Sequence, residues 1–283
     1  MERKQLIDYY EKTRFDYRVA WLDRANPAIH FGYYDEKARV HKDALFRLNE
    51  VMADLASIGP ECRVLDAGCG LGASALWLAK NRGAQVTGIN LVSGQVSAAS
   101  KLAGKNGLEG LLQFVQADYH QTPFPDESFE VVWACESLCH SPDKRAFYRE
   151  AFRVLRPGGR LVMAEYIRSA RPLDLKREAL LADWLSGWAI PDIDTPEEHS
   201  SNALEAGFAG IEIKDVTAHT RVSHRNLYKH GRKWWRLGQA LTAIGIRSRI
   251  EKGNHRGAIR QFEALEEKAW FYGLGLAKKA ENV

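Results

Sequence analysis

From residue 63 onward, short apolar runs alternate with segments of helical period, which is how strands interleaved with helices read in a sequence. The runs fall at 63–67, 85–90, 112–117, 129–135, 159–166 and 211–218, with a final strand near 270–276. Most are separated by a helix-length stretch, so the pattern predicts an α/β protein with a doubly wound, mostly parallel sheet. Arg156-Pro157-Gly158-Gly159 is a compact turn. Its proline fixes one φ and its glycines let the chain reverse, ending a helix over 145–155 and opening the strand at 159. Residues 1–60 read as helices and a loop, closing on an amphipathic stretch at 42–52. Two segments exceed what a sheet needs: a helical pattern over 172–191 and a basic, aromatic stretch over 222–260. With the first 60 residues they are expected to cap the carboxyl edge of the sheet, where open α/β sheets bind ligands. The expected division is a helical lid over 1–60, a ligand-binding core over 61–170, and the rest of the sheet over 171–283, carrying cap insertions at 172–191 and 222–260.

Composition narrows the class without naming a function. The chain has 283 residues, 45% apolar and 27% charged, as an ordinary globular protein does. A net charge of +4 is too small to argue for nucleic acid by itself. Cys62, Cys69, Cys135 and Cys139 all lie in the first half, in segments that read as core or turn. Cys135, Cys139 and His140 do not have a zinc spacing, so no metal site is expected from them. A reduced, cytoplasmic protein is the expectation. No apolar run reaches the ~18 residues of a membrane span, and the first residues lack the apolar core of a signal peptide.

The densest chemical signal is Val64-Leu65-Asp66-Ala67-Gly68-Cys69-Gly70-Leu71-Gly72, a strand end followed by glycines at alternate positions and then a helical pattern. Glycines there let the backbone turn sharply and let a ligand lie against bare main chain. The spacing is neither G-x-G-x-x-G nor a P-loop, so the fit is to a nucleotide cradle without a pyrophosphate. An ordinary tight strand-to-helix turn is the alternative.

The segments beyond the glycine turn decide between the two by resemblance. Gly88-Ile89-Asn90-Leu91, Gln116-Ala117-Asp118-Tyr119, the run Phe124–Trp133 and Val154-Leu155-Arg156-Pro157-Gly158-Gly159-Arg160-Leu161 come after it in order and at suitable spacing. Together they resemble class I S-adenosylmethionine-dependent methyltransferases over roughly residues 60–170. The resemblance implies a seven-stranded, mostly parallel, Rossmann-like sheet with a helical cap, and S-adenosylmethionine as cofactor. It implies that Gly68 and Gly70 let the amino-acid tail lie on backbone amides and that Asp66 holds the ammonium. Asp118 would accept from the adenine amino group with Tyr119 against the ring. An acidic residue usually takes the ribose hydroxyls, but Asn90 stands there. Asn90 with Gln95 could share them, or Asn90 could simply cap the next helix. Leu91, Tyr17 and Cys135 complete the implied cofactor contacts.

A narrower resemblance bears on the acceptor. Asn90-Leu91 with Gln95, Trp133-Ala134-Cys135-Glu136-Ser137-Leu138-Cys139-His140-Ser141-Pro142, and an early segment with Tyr9, Tyr10, Tyr17 and His30-Phe31-Gly32-Tyr33-Tyr34 resemble the sterol, tocopherol and isoprenoid C-methyltransferase branch. The implied catalytic residues are Glu136, as carbocation stabiliser or base, and His140, as its assistant or proton relay. Attack by an alkene carbon on a sulfonium methyl leaves a carbocation, which needs aromatic faces and then a base. Tyr33, Trp184, Trp188, Tyr228 and Trp234 are the expected acceptor contacts, with Trp235 a further candidate or a packing residue of the cap. Arg225, Lys229 or Arg232 would meet an anionic head group such as a diphosphate, with Mg2+ in that case; a solvated helix face is the other reading of this basic stretch. The implied partner is a small, largely apolar molecule rather than nucleic acid, with homo-oligomerisation left open. The alternative is an O-, N- or ring C-methyltransferase acting on a phenol, quinol or amine.

Overall fold

The computed structural model describes residues 3–20 and 27–281, with the side chains of 15 and 17–20 outside the description. Its strands are β1 (Arg63–Ala67), β2 (Gln85–Asn90), β3 (Leu112–Gln116), β4 (Phe129–Cys135), β5 (Leu155–Arg168), β6 (Ile211–Asp215) and β7 (Trp270–Lys278). They form one sheet in the order β3-β2-β1-β4-β5-β7-β6. The first five are parallel, and β7 runs antiparallel between β5 and β6. This is the seven-stranded, mostly parallel, Rossmann-like sheet that the resemblance implies. β4 is buried at six successive positions with no alternation, as a central strand covered on both faces must be.

The helices are α1 (Arg3–Ala20), α2 (His41–Leu55), α3 (Ala73–Arg82), α4 (Ser93–Lys105), α5 (Lys144–Val154), α6 (Leu175–Gly187), α7 (Pro196–Ala206), α8 (Thr217–Ala243) and α9 (Arg249–Glu266). One face of the sheet packs on α5 and α7 through Phe147, Tyr148, Ala151 and Ala203. The other packs on α2, α3, α6 and α9 through Leu48, Met52, Leu78, Trp184 and Phe262. α6 and α9 approach closely because they meet at glycines. A Cβ on Gly187 would lie 2.4 Å from the Gly253 carbonyl oxygen, and one on Gly257 2.3 Å from Trp188. Among the described residues no helix is long and apolar enough to cross a membrane.

Several boundaries differ from the pattern, β5 and β7 each running two residues further, to Arg168 and Lys278. β6 stops at Asp215 rather than 218, because the Asp215 side chain accepts from the Thr217 amide at 2.8 Å and α8 begins there. β5 starts at Leu155 rather than 159 and carries an irregularity, since the register steps from Phe129–Leu155 to Val131–Arg160. Gly158, at φ 73°, absorbs that step. β3 ends one residue early, at Gln116.

Candidate active site

Register places the carboxyl ends of β1, β2 and β4 side by side: Asp66 pairs with both Gly88 and Trp133. A cleft opens at that edge, lined by Asp66, Gly68, Gly70, Asn90, Leu91, Gln95, Tyr119, Cys135 and Ser137. Gly68 sits at φ 97°, and a Cβ there would lie 2.5 Å from that of Ser137, so only glycine fits. The amides of Gly68 and Cys69 both donate to the Ile89 carbonyl at 3.0 Å and close the turn on β2. Gly68 therefore shapes the cradle rather than offering its amide to a ligand. At Gly70, φ 52°, an added Cβ would meet, among the described residues, only Ile29 at 4.0 Å, which leaves open main chain.

Asp66 is 3% exposed, and among the described residues its Oδ2 has no hydrogen-bond partner. Burial pushes its carboxyl up to about 7. A buried carboxylate oxygen left bare at the edge of a cleft suits a cationic ligand group. Asn90 accepts from the Val92 amide at 2.9 Å and donates to Gln95 at 2.8 Å, so it holds the turn into α4 without capping the helix, while both side chains border the cleft. Tyr119 lies edge-on to Phe147, and its hydroxyl donates to the Ser137 carbonyl at 3.2 Å. Asp118 is placed differently. Its carboxylate is taken by Arg3 of α1 and by His120, and it does not border the cleft. Tyr17 lies on α1, and its side chain is outside the described residues.

A second chamber of about 470 Å³ abuts the cleft, and Tyr10, Ile29, Glu136 and His140 border both. Glu136 follows β4 at φ 49°, a left-handed conformation that costs a non-glycine residue on the order of 1 kcal/mol. Its amide donates to the Ala164 carbonyl at 2.8 Å. Its Oε1 accepts from the Phe31 amide at 2.7 Å and the Tyr272 hydroxyl at 2.6 Å, and its Oε2 from the Tyr166 hydroxyl. Burial pushes this carboxyl up to about 8 against those three donors, with Glu165 adding to the rise. Glu165 is itself buried and accepts from the Cys139 amide at 2.8 Å, which fixes the turn carrying His140.

His140 Nδ1 lies 3.1 Å from the Ala189 carbonyl, which only accepts, so the proton sits on Nδ1. Nε2 is left as a lone pair, and the Tyr10 hydroxyl donates to it at 2.8 Å. Burial holds this imidazole down at about 4 and therefore neutral. Phe31, Tyr166, Trp188 and Tyr272 pack on one another beside Glu136, Phe31 lying 6.2 Å from Tyr166 and 6.3 Å from Tyr272.

The chamber wall is apolar: Trp188, Ile190, Leu227, Trp234, Leu237, Leu241 and Ile246. Polar groups gather within it as well, where Arg247 pairs with Asp16 at 2.6 Å and Asn254 donates to Asp16 at 3.1 Å. Of the residues expected to touch the acceptor, Trp188 and Trp234 line the chamber and four do not. Trp184 is fully buried in the core against Trp270 and Tyr166. Tyr33 stacks on His219, and Tyr228 packs on Phe262. Arg225 is exposed, as are Lys229 and Arg232, on the outside of α8. The reason is helical phase: α8 turns its small and apolar side inward and its cations out. Trp235 lies edge-on to His255.

Sequence reasoning did not single out Tyr166 and Tyr272 as site residues. Each looks like any strand aromatic, and only the β5–β7 pairing of these two residues brings both hydroxyls to Glu136. Tyr10 and Phe31 did carry a signal, lying in the early segment that resembles a lid. Among the described residues no cluster of three His, Cys, Asp or Glu is placed to hold a metal ion.

A nucleotide-type cleft joined to an apolar chamber, with a carboxylate and an imidazole at the junction, is an arrangement suited to group transfer. The family profile described as "Methyltransferase domain" matches residues 65–163. The 27-O-demethylrifamycin SV methyltransferase of Amycolatopsis mediterranei (strain S699) is 35% identical over 256 residues, covering 89% of this chain and 90% of that protein. Sterol 24-C-methyltransferase ERG6B of Gibberella zeae is 36% identical over 212 residues, covering 74% of this chain and 54% of that one. Among solved structures, the [4+2]-cyclase SpnF superposes with a TM-score of 0.80 at 25% identity, covering 100% of this chain and 98% of that one. The chain belongs to the S-adenosylmethionine-dependent methyltransferases.

Proposed function

We propose that this methyltransferase acts on a bulky, largely apolar acceptor, forming a bond from an alkene carbon of a terpenoid or sterol-like molecule through a carbocation. The observation that carries the reading is Glu136, a carboxylate fixed by three donors among aromatic rings at the junction of cleft and chamber. Bound S-adenosylmethionine supplies an electrophilic methyl group on a sulfonium. Asp66, with its bare Oδ2, fits the ammonium of that cofactor, and Asn90 with Gln95 fits its ribose. The apolar chamber excludes water and aligns the acceptor carbon with the junction. Three donors leave Glu136 one lone-pair direction, so in its ionised form it faces the developing cation as a fixed anion and can take the departing proton. Ring faces of Tyr166 and Trp188 stabilise the same cation without reacting with it.

The chamber narrows the notion of a prenyl diphosphate. Its arginine, Arg247, is already paired with Asp16, and the cations of α8 that would meet a diphosphate point outward. A phosphate-free acceptor fits these residues better, and Mg2+ belongs only to the diphosphate alternative.

A second reading, O-methylation of a hydroxyl, is favoured by His140, whose Nε2 lone pair is set at the junction by the Nδ1 bond to Ala189. The rifamycin O-methyltransferase, similar over nearly the whole chain, supports it too. The two readings part in one experiment. Methyl-labelled cofactor is offered with a panel of sterols, terpenoid alkenes, prenyl diphosphates and phenols, using the parent enzyme and Glu136→Gln. Carbon-linked label that vanishes in the variant, with cofactor affinity kept within a few-fold, is expected. Label found only on oxygen or nitrogen, or near-normal turnover by Glu136→Gln, sinks the first reading.

A further inference from the structure

We infer that the outer face of α8 and the turn into α9 dock on an anionic lipid surface, so that the mouth of the acceptor chamber opens toward a bilayer. Charge is segregated along this part of the chain. From Thr217 to Ile250 there are eight arginines and lysines and no acidic residue, in a protein whose net charge is +4. At 100° per residue, Arg225, Lys229, Arg232, Lys233 and Arg236 fall in one stripe along α8, and all five are exposed. Among the described residues, the cations of this segment that pair with carboxylates are Arg221, with Glu266, and Arg247, with Asp16.

Beside the stripe lies an apolar edge. Trp234 is 44% exposed, Leu237 51%, Ile244 68% and Ile246 67%. Trp234, Leu237 and Ile246 also line the chamber, so the side chains exposed here form its rim. Lys233 lies 5.3 Å from the Trp234 ring centroid and joins stripe to rim. Aliphatic and indole groups beside arginine and lysine are what an interfacial helix presents to anionic lipid: the apolar edge enters the acyl boundary and the cations meet the head groups. Nucleic acid would answer the stripe but leave the aliphatic rim in water. The surface does not depend on which acceptor atom is methylated.

The test is co-sedimentation of the full chain with vesicles of phosphatidylcholine alone or mixed with phosphatidylglycerol. Binding to the mixed vesicles, weak binding to neutral ones and a decline with salt are expected. Removing a cation near the surface lowers partitioning about fivefold, so Lys233→Gln/Arg236→Gln is expected to lower it roughly 25-fold. Ile244→Ser is expected to lower it several-fold through lost apolar contact. None of the three residues lines the chamber, so cofactor binding and melting temperature should match the parent and certify folding. Failure of the parent to bind mixed vesicles, or undiminished binding by the double variant, overturns the inference. So does tighter binding of single-stranded RNA than of vesicles, with Ile244→Ser affecting neither.

Discussion

Replacing Asp66 by Asn should make the free enzyme more stable and the cofactor complex weaker. Burial carries the Asp66 carboxyl from its ordinary 3.8 up to about 7 with no partner at Oδ2. Between those two values the folded state holds a proton that the unfolded chain has released, so stability falls as pH rises and the full penalty is present above about pH 7. That displacement corresponds to about 4 kcal/mol of native-state cost at pH 8. Asn removes the charge and that cost, and the melting temperature of the free variant at pH 8 should rise by several degrees. Cofactor binding moves the other way. An ammonium held in a dry cleft loses its countercharge, a loss of about 2–5 kcal/mol or at least roughly thirtyfold in affinity. In the parent, affinity should fall about tenfold per pH unit below 7, because the proton must leave before the ammonium can pair. In the variant that slope should vanish. Calorimetric titration with S-adenosylhomocysteine from about pH 5.5 to 8, beside thermal melts, reads both effects. Equal affinity with an unchanged pH slope, or a lower melting temperature at pH 8, would refute the reasoning.

Neighbouring contacts lead to three more expected outcomes. Tyr272→Phe removes a 2.6 Å donor to Glu136 and should push its carboxyl above about 8; if ionised Glu136 is required, the acidic limb of the pH–rate profile moves to higher pH, by about one unit. An unmoved limb would assign the titration elsewhere. Tyr10, on α1, borders the cofactor cleft and ties that helix to His140; Tyr10→Phe keeps the ring but deletes the hydroxyl donor to Nε2, so stopped-flow release of the cofactor should quicken about fivefold, the worth of one hydrogen bond. Gly257→Ala would place a methyl 2.3 Å from Trp188 and should cost about 1–3 kcal/mol, read as a lower urea midpoint; an unchanged midpoint would mean α6 and α9 part at little cost.

The sheet was legible because its strands are short, buried and punctuated by turn residues, which is local information. The glycine turn was legible for the same reason: Gly68 must be glycine, as its φ and the nearby Ser137 require. The surroundings of Glu136 were not. They come from a loop amide at Phe31 and from hydroxyls on β5 and β7, far apart in sequence and joined only by antiparallel pairing. Helix phase was the other blind spot. Trp184 and Trp188 sit on or beside one helix in similar company, yet one is core and the other wall, because four residues of sequence also carry the chain past the end of α6. The same limitation made the α8 cations look like candidate ligands when they face away from the chamber.

β7 enters the sheet between β5 and β6, both made earlier, and Tyr272 rides on it to Glu136. A chain emerging from the ribosome can thus build β1 to β5, with the cofactor cradle, well before its reaction chamber has a finished carboxylate. Until the last strand pairs, Glu136 lacks one of its three donors and β5 has an open edge. Completion of the Glu136 site therefore waits on the last strand, and a chain ending short of β7 is expected to lose methyl transfer.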